Sequence, residues 1–160
     1  MSVDSKELRA MMGHFVTGVT VVTTKDTTGQ NFGITANAFT SVSLHPPLVL
    51  VCIDKSAQCY PCFEESGVFA VNILGRQQEE ISRRFATKGI DKFKGLSWHS
   101  GASGAPLLDG AVGHVECKVV QRYEGGDHTI YLAEVICGNV TTGEPLLFFR
   151  GRYHRLGGAL

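Results

Sequence analysis

The chain has 160 residues, 43% apolar and 19% charged, with Lys plus Arg equal to Asp plus Glu and a formal net charge of zero. This is ordinary globular composition rather than that of a disordered tail, and the length suits a single domain, residues 1–160, with a buried core. Balanced charge gives no general attraction to nucleic acid or to an anionic membrane, and no apolar run approaches the roughly 18–20 residues that span a bilayer. The N-terminus lacks a basic patch followed by a long apolar run, so no secretory signal is expected and a cytoplasmic location is. The sequon Asn139-Val140-Thr141 then counts as chance.

Asp4 with Glu7 marks a helix start, and Leu8, Met11, Met12 and Phe15 follow at i, i+3, i+4, i+7 spacing. Residues 1–15 are therefore expected as an amphipathic helix whose Met pair serves a core or an interface. TGVTVVTT at Thr17–Thr24 is dense in β-branched residues and predicts a strand. A turn at Lys25–Gln30 leads to a second strand, Asn31 to about Ala36. Pro46-Pro47 forbids helix and introduces a strand over Leu48–Ile53, and another follows at Val68–Leu74. Ser56 can cap a short helix running toward Glu65. Gln77 to about Thr87 reads as a third helix, with Glu79–Arg83 and Glu80–Arg84 at i, i+4. The rest is strand-rich: Ala111–Tyr123, a Glu124–Asp127 turn, His128–Val140, and Pro145–Leu156 interrupted at Gly151.

Strands outnumber helices and are joined by turns, which argues for an antiparallel barrel over a doubly wound parallel sheet. Neither GxGxxG after the first strand nor GxxxxGK[ST] occurs. Five scattered cysteines do not form a disulfide framework. Cys59-Tyr60-Pro61-Cys62 has the spacing of a redox pair or half a zinc site, but no second pair accompanies it, so two small side chains in a short helix is the plainer reading and no metal is expected.

Three places could carry chemistry. From Gly33 to Ser43 a strand end is expected to run into a loop of small hydroxyl and amide residues, which is either a polar surface loop or a cradle for a flat ring such as a flavin. At Asp54-Lys55-Ser56 a helix N-terminus, a hydroxyl and an ammonium could together hold a phosphate, or simply cap the helix. At Gly126-Asp127-His128 a histidine opens a strand, either as part of a turn or as a donor to a carboxamide or phosphate.

With these pieces in order, the chain resembles the flavin reductase family with the FMN-binding split-barrel fold, the small components of two-component flavin monooxygenases. The resemblance runs from Met12 to Leu156. It rests on TGVTVVTT, GITANAFTSVSLHPPLVL at Gly33–Leu50, Lys55-Ser56 and FAVNIL at Phe69–Leu74. RRFA at Arg83–Ala86, GAPLLDGA at Gly104–Ala111, GDH at Gly126–His128 and PLLFFRGRYHRL at Pro145–Leu156 complete it. It implies a mainly β fold with flanking helices, a six-stranded antiparallel Greek-key split β-barrel over residues 16–160, and a homodimer with flavin near the subunit interface.

The resemblance further implies that Thr35, Ala36, Asn37, Ser41, Val42 and Ser43 line the isoalloxazine ring. Cys52, Ile53, Asp54, Lys55 and Ser56 would run beside the ribityl chain and phosphate, and Phe85 with Arg84 would close over the flavin tail. His128 would meet the nicotinamide nucleotide, helped by Arg150 and Tyr153. The implied activity is NAD(P)H:flavin oxidoreduction, FMN or FAD taking a hydride from NADH or NADPH by ring stacking with no catalytic side chain. Reduced flavin would pass to a partner monooxygenase, transiently or by diffusion. Val16 stands where the family often has Pro, and the Cys59–Cys62 pair has no family counterpart. Of the other histidines only His45, beside the expected ring site, is set apart from a structural role. The alternative reading is a non-catalytic flavin or haem-type binder on the same barrel.

Overall fold

A computed structural model describes residues 3–159. In chain order the elements are α1 (Ser5–Met12), β1 (Thr17–Gly18), β2 (Thr20–Lys25), β3 (Asn31–Ala36), β4 (Phe39–Leu44), β5 (Pro47–Asp54), α2 (Tyr60–Ser66) and β6 (Val68–Ile73). They continue with α3 (Glu79–Ala86), β7 (Trp98–Ser100), β8 (Pro106–Leu108), β9 (Gly113–Gly125), β10 (His128–Val140), β11 (Leu147–Phe149) and β12 (Arg152–His154).

The fold is mainly β with three helices. Its centre is a seven-stranded antiparallel sheet in the order β3-β2-β6-β9-β10-β5-β4. The resemblance implies six barrel strands and the sheet has seven, β4 lying within the Gly33–Ser43 stretch whose later part was expected as a loop. FTSVSL pairs with β5 from Phe39↔Val51 to Leu44↔Pro47, with one irregularity between Ser41 and Ser43. Its Ser and Thr content reads as loop in isolation, yet a strand with one solvated face tolerates those residues well.

Burial alternates along β5: Val49, Val51 and Ile53 face the core, while Leu48, Leu50, Cys52 and Asp54 are less buried on the other side. The inward residues pack with Val22, Phe63, Phe69, Val71 and Tyr131. Phe32, Ile34 and Ala36 of β3 and Phe39 of β4 pack against that same cluster, so both edges of the sheet share one core.

A second core, under α3, joins Val21, Leu74, Phe85, Leu108 and Leu146. Between the cores lies one fully buried amide. The Asn72 Nδ2 donates to the Val21 carbonyl (2.9 Å) and to Thr23 Oγ1 (3.1 Å), and its Oδ1 accepts from the Leu108 N–H (2.7 Å). It thereby ties β6 to β2 and to the β7–β8 hairpin, an element without a strand signal in its residues.

The expected first strand divides at Val19. Thr17 and Gly18 pair with Phe148 and Leu147 in a small sheet, β1-β11-β12, while Thr20 onward joins the main one. The final β segment turns at Arg150-Gly151, both at positive φ. Asp4 caps α1 as expected, accepting from the Lys6 and Glu7 N–H groups at 2.8 Å each, while Glu7 accepts from the Asp4 N–H. None of its residues is buried, however, so the apolar stripe meets no core in this chain. No helix of the described residues is long and apolar enough to cross a membrane.

Candidate functional site

The outward face of β5 and the chain leaving β3 enclose a cleft of about 590 Å³. Strand alternation presents Leu50 and Cys52 to it, and Asn37, Thr40, Met12 at the end of α1 and Phe15 just beyond it also line it. Phe15 is 71% exposed and Met12 57%, large values for apolar side chains that border a cleft. Gly18 lines it too, and a Cβ there would meet nothing within 4 Å, so the backbone is open to a ligand. Thr17 Oγ1, on the same wall, is buried with no hydrogen-bond partner. Apolar surface, approachable backbone and an unspent hydroxyl suit a flat ring with polar edge atoms, such as an isoalloxazine. Burial pushes the Cys52 thiol pKa up, which keeps it protonated and a neutral wall.

Further along the same face of β5, Asp54 lies opposite His128 of β10. The hairpin between β9 and β10 turns on Gly126-Asp127, with Gly126 at φ +75°, a backbone that side chains rarely adopt. The turn is pinned to β5 by a bond from the Lys55 N–H to the Asp127 carbonyl (3.0 Å). The His128 Nδ1 lies 2.7 Å from Asp127 Oδ1, which leaves Nε2 as the ring's outer nitrogen. Asp54 is held below the usual carboxylate range, first by the Ser56 backbone and side chain and then by His128 and Lys88.

The structure corrects several sequence-based placements. Ser56 caps no helix: α2 begins at Tyr60 after Cys59, which makes no side-chain cap, and the Ser56 N–H instead bonds Asp54 Oδ1 (2.7 Å). The helix N-terminus expected at Lys55-Ser56 is therefore absent, which leaves the Lys55 ammonium and the Ser56 hydroxyl as the groups that could meet a phosphate there. Lys55 is also not free, since its ammonium bonds Glu124 and the Gly126 carbonyl. Replacing Glu124 by Gln should release it, and FMN should then bind up to about fivefold tighter by fluorescence quenching. Riboflavin, which has no phosphate, should bind unchanged.

Phe85 is fully buried against Phe93 and under Gly33, so it supports β3 from within and cannot close over a flavin tail. Ile53 likewise faces the core. Thr35 Oγ1 is spent on the Ser82 carbonyl (2.6 Å), and the Ala36 carbonyl accepts from Thr20 Oγ1. Ser41 and Val42 are exposed on β4, and Ser43 Oγ accepts from the His45 N–H. Arg84 bonds the Lys94 carbonyl (2.9 Å). Tyr153 bonds Ser82, and the Arg150 N–H donates to the Gly13 carbonyl; neither residue bonds His128.

Of the expected flavin-binding residues, then, Asn37 from the ring set and Cys52 from the ribityl set line the cleft directly. Met12, Phe15, Thr40 and Leu50 were missed, although the α1 stripe and the i, i+2 pattern of β5 were the signals for them. Cys59 and Cys62 are buried, and burial holds both as unreactive thiols. His114 is structural, with its ring nitrogens 2.9 Å from Asn139 Oδ1 and from the Leu108 carbonyl.

Comparison with known proteins matches residues 12–157 to the family described as "Flavin reductase like domain". The chain is 46% identical over 158 residues to the NADH-dependent FAD reductase of Streptomyces globisporus, covering 95% of this chain and 86% of that protein. It is 37% identical to the reductase subunit HsaB of a flavin-dependent monooxygenase from Rhodococcus jostii, covering 95% and 78%. A solved structure of the NADH:FAD oxidoreductase SgcE6 from Streptomyces globisporus, in complex with NAD and FAD fragments, superposes with a TM-score of 0.91. That pair is 46% identical, over 98% of this chain and 97% of the other. The chain belongs to the flavin reductase family.

Proposed function

We propose that this chain is an NAD(P)H-dependent flavin reductase that binds FAD or FMN in the cleft beside β5 and supplies reduced flavin to a flavin-dependent monooxygenase. The observation that carries it is the cleft itself: apolar walls, open backbone at Gly18 and an unspent Thr17 hydroxyl, on a chain matching the family over residues 12–157. When bound, the flavin supplies the hydride-accepting ring. The protein's task is then to hold two rings in contact and exclude water, which needs no nucleophile or general base.

In this reading Asn37 and Thr40 hold the polar edge of the ring, while Met12, Phe15 and Leu50 supply apolar contact. Ser41, Val42 and Ser43, off the cleft on β4, would approach the ring only from the far side of that strand. Asp54, Lys55 and Ser56 flank the ribityl phosphate, with Lys55 exchanging Glu124 for it. The sheet corresponds to a Greek-key split barrel, and the approach of β3 to β5 supports that shape. A homodimer would cover the apolar side of α1, whose exposed residues continue the cleft wall; Arg150, beside Gly13, would lie at that border. A single domain in the cytoplasm completes the proposal.

The test pairs NADH or NADPH with FMN or FAD and follows absorbance at the nicotinamide band. Oxidation that depends on flavin supports the enzyme; its absence in every pairing would leave the non-catalytic binder, recognisable as protein that stays yellow. His128→Ala should raise the KM for the nicotinamide nucleotide about tenfold, the worth of one charge-assisted hydrogen bond, with kcat little changed. An unchanged KM removes His128 from the site.

A further inference from the structure

The chain leaves the main sheet at Val19, so Thr17 and Gly18 on the cleft wall take their place from the small sheet β1-β11-β12 rather than from the β2 ladder. Thr17 pairs with Phe148, and Phe148 pairs with Tyr153, which sets these residues in one row across the small sheet. Side chains paired in this way share a face. The Phe148 and Tyr153 rings lie 5.4 Å apart between centroids, and both pack against the second core. Apolar packing holds the small sheet close but carries little direction, so its tilt is left to hydrogen bonds.

At the start of β11 those bonds are made by backbone: the Leu146 N–H donates to the Leu74 carbonyl, and Pro145 bridges to Gly75. On the outer strand β12, among the described residues, a single side-chain hydrogen bond reaches the rest of the molecule. It joins Tyr153 Oη to Ser82 Oγ at 2.8 Å. Ser82 is fully buried on α3, and its carbonyl accepts from Thr35 Oγ1 at 2.6 Å. Thr35 in turn is fixed in the β2–β3 ladder opposite Val21. A continuous path therefore runs from the main sheet through Thr35, Ser82, Tyr153 and Phe148 to Thr17. Arg83, next to Ser82 on α3, lies over the Tyr153 ring at 4.8 Å.

We infer that the Ser82–Tyr153 hydroxyl pair is a positioning device for flavin reduction: it fixes the small sheet so that the Thr17 hydroxyl and the Gly18 backbone meet the ring. The inference rests on the flavin reading of the cleft. Thr17 Oγ1 is buried with no partner, so a ligand atom satisfies it only where the wall stands at hydrogen-bond distance. Stacking is as exacting, because a shift of about an ångström costs about a hundredfold in rate. Neither Ser82 nor Tyr153 lines the cleft, so both act through the wall and not on the ring.

Tyr153→Phe keeps the aromatic ring and its contacts with Phe148 and Arg83, and removes only the hydroxyl. At saturating flavin its kcat should fall about tenfold, while the KM for NADH stays within about twofold. Ser82→Ala keeps the carbonyl that holds Thr35 and should do the same, and the two together should cost no more than either alone. Thr17→Val should lower kcat by itself, and adding Tyr153→Phe to it should then cost only about twofold, since the hydroxyl being positioned is gone. A folded Tyr153→Phe protein with wild-type kcat, or losses that multiply, overturns the inference, whatever happens to Tm. Cys52→Trp, run alongside, separates the two readings. If it abolishes turnover, the cleft stands and the positioning device is judged alone; if turnover survives, the flavin reading of the cleft falls and this inference with it. If Ser82→Ala does not fold, the pair Tyr153→Phe and Thr17→Val decides.

Discussion

Cys52→Trp is expected to abolish flavin-dependent NADH oxidation in a protein that still folds. Cys52 lies on the outward face of β5, where its side chain borders the cleft and no core residue depends on it. Its backbone N–H keeps its bond to the Ala38 carbonyl whatever the side chain. An indole there fills the space assigned to the isoalloxazine, and rings displaced by even an ångström lose about two orders of magnitude in rate. kcat/KM should therefore fall by about a hundredfold or more in the absorbance assay. A substitution outside the core changes stability by about 0.5 kcal/mol, or about 2 °C in Tm at this chain length. A folded Cys52→Trp protein with undiminished turnover would place the flavin elsewhere.

The second large effect concerns the scaffold. Asn72→Ala should cost about 3–4 kcal/mol, read as a lower denaturation midpoint in urea with an unchanged slope. The amide satisfies the Leu108 N–H and the Val21 carbonyl in a region with no access to water, so its loss strands both and leaves a cavity. Asn72→Asp should be at least as damaging, because a carboxylate cannot donate to Val21 and would bury a charge. A loss below about 1 kcal/mol for either would mean that the β6–β8 junction is solvated.

Local pattern and long-range geometry were unequally legible in the sequence. His128–Val140, Asn31–Ala36 and the capping box at Asp4 follow from residues adjacent in the chain, and the structure has them where the sequence implies. β4 was hidden because Ser and Thr serve loops and half-solvated strands alike, and only pairing with β5 decides between them. Phe85 differs: Ile81 and Phe85 share one helix face, which already points inward, and the lid role came only from the resemblance; Gly33, 52 positions earlier, leaves the space into which the ring packs. For the candidate site, the sequence singled out Gly33–Ser43 and Asp54–Ser56, of which Asn37 and Thr40 border the cleft, while the part played by Met12 and Phe15 depends on where the chain after α1 lies.

The two sides of the cleft differ in how firmly they are held. Leu50 and Cys52 belong to a strand bonded on both sides, so they yield only when the sheet itself melts. Met12 and Phe15 belong to a segment with no buried helix residue, anchored near its end by the Gly13 carbonyl. Under the proposed homodimer a second subunit would cover this wall, so ligand occupancy and subunit association would favour each other by the same increment, and diluting the protein would weaken its hold on the ligand.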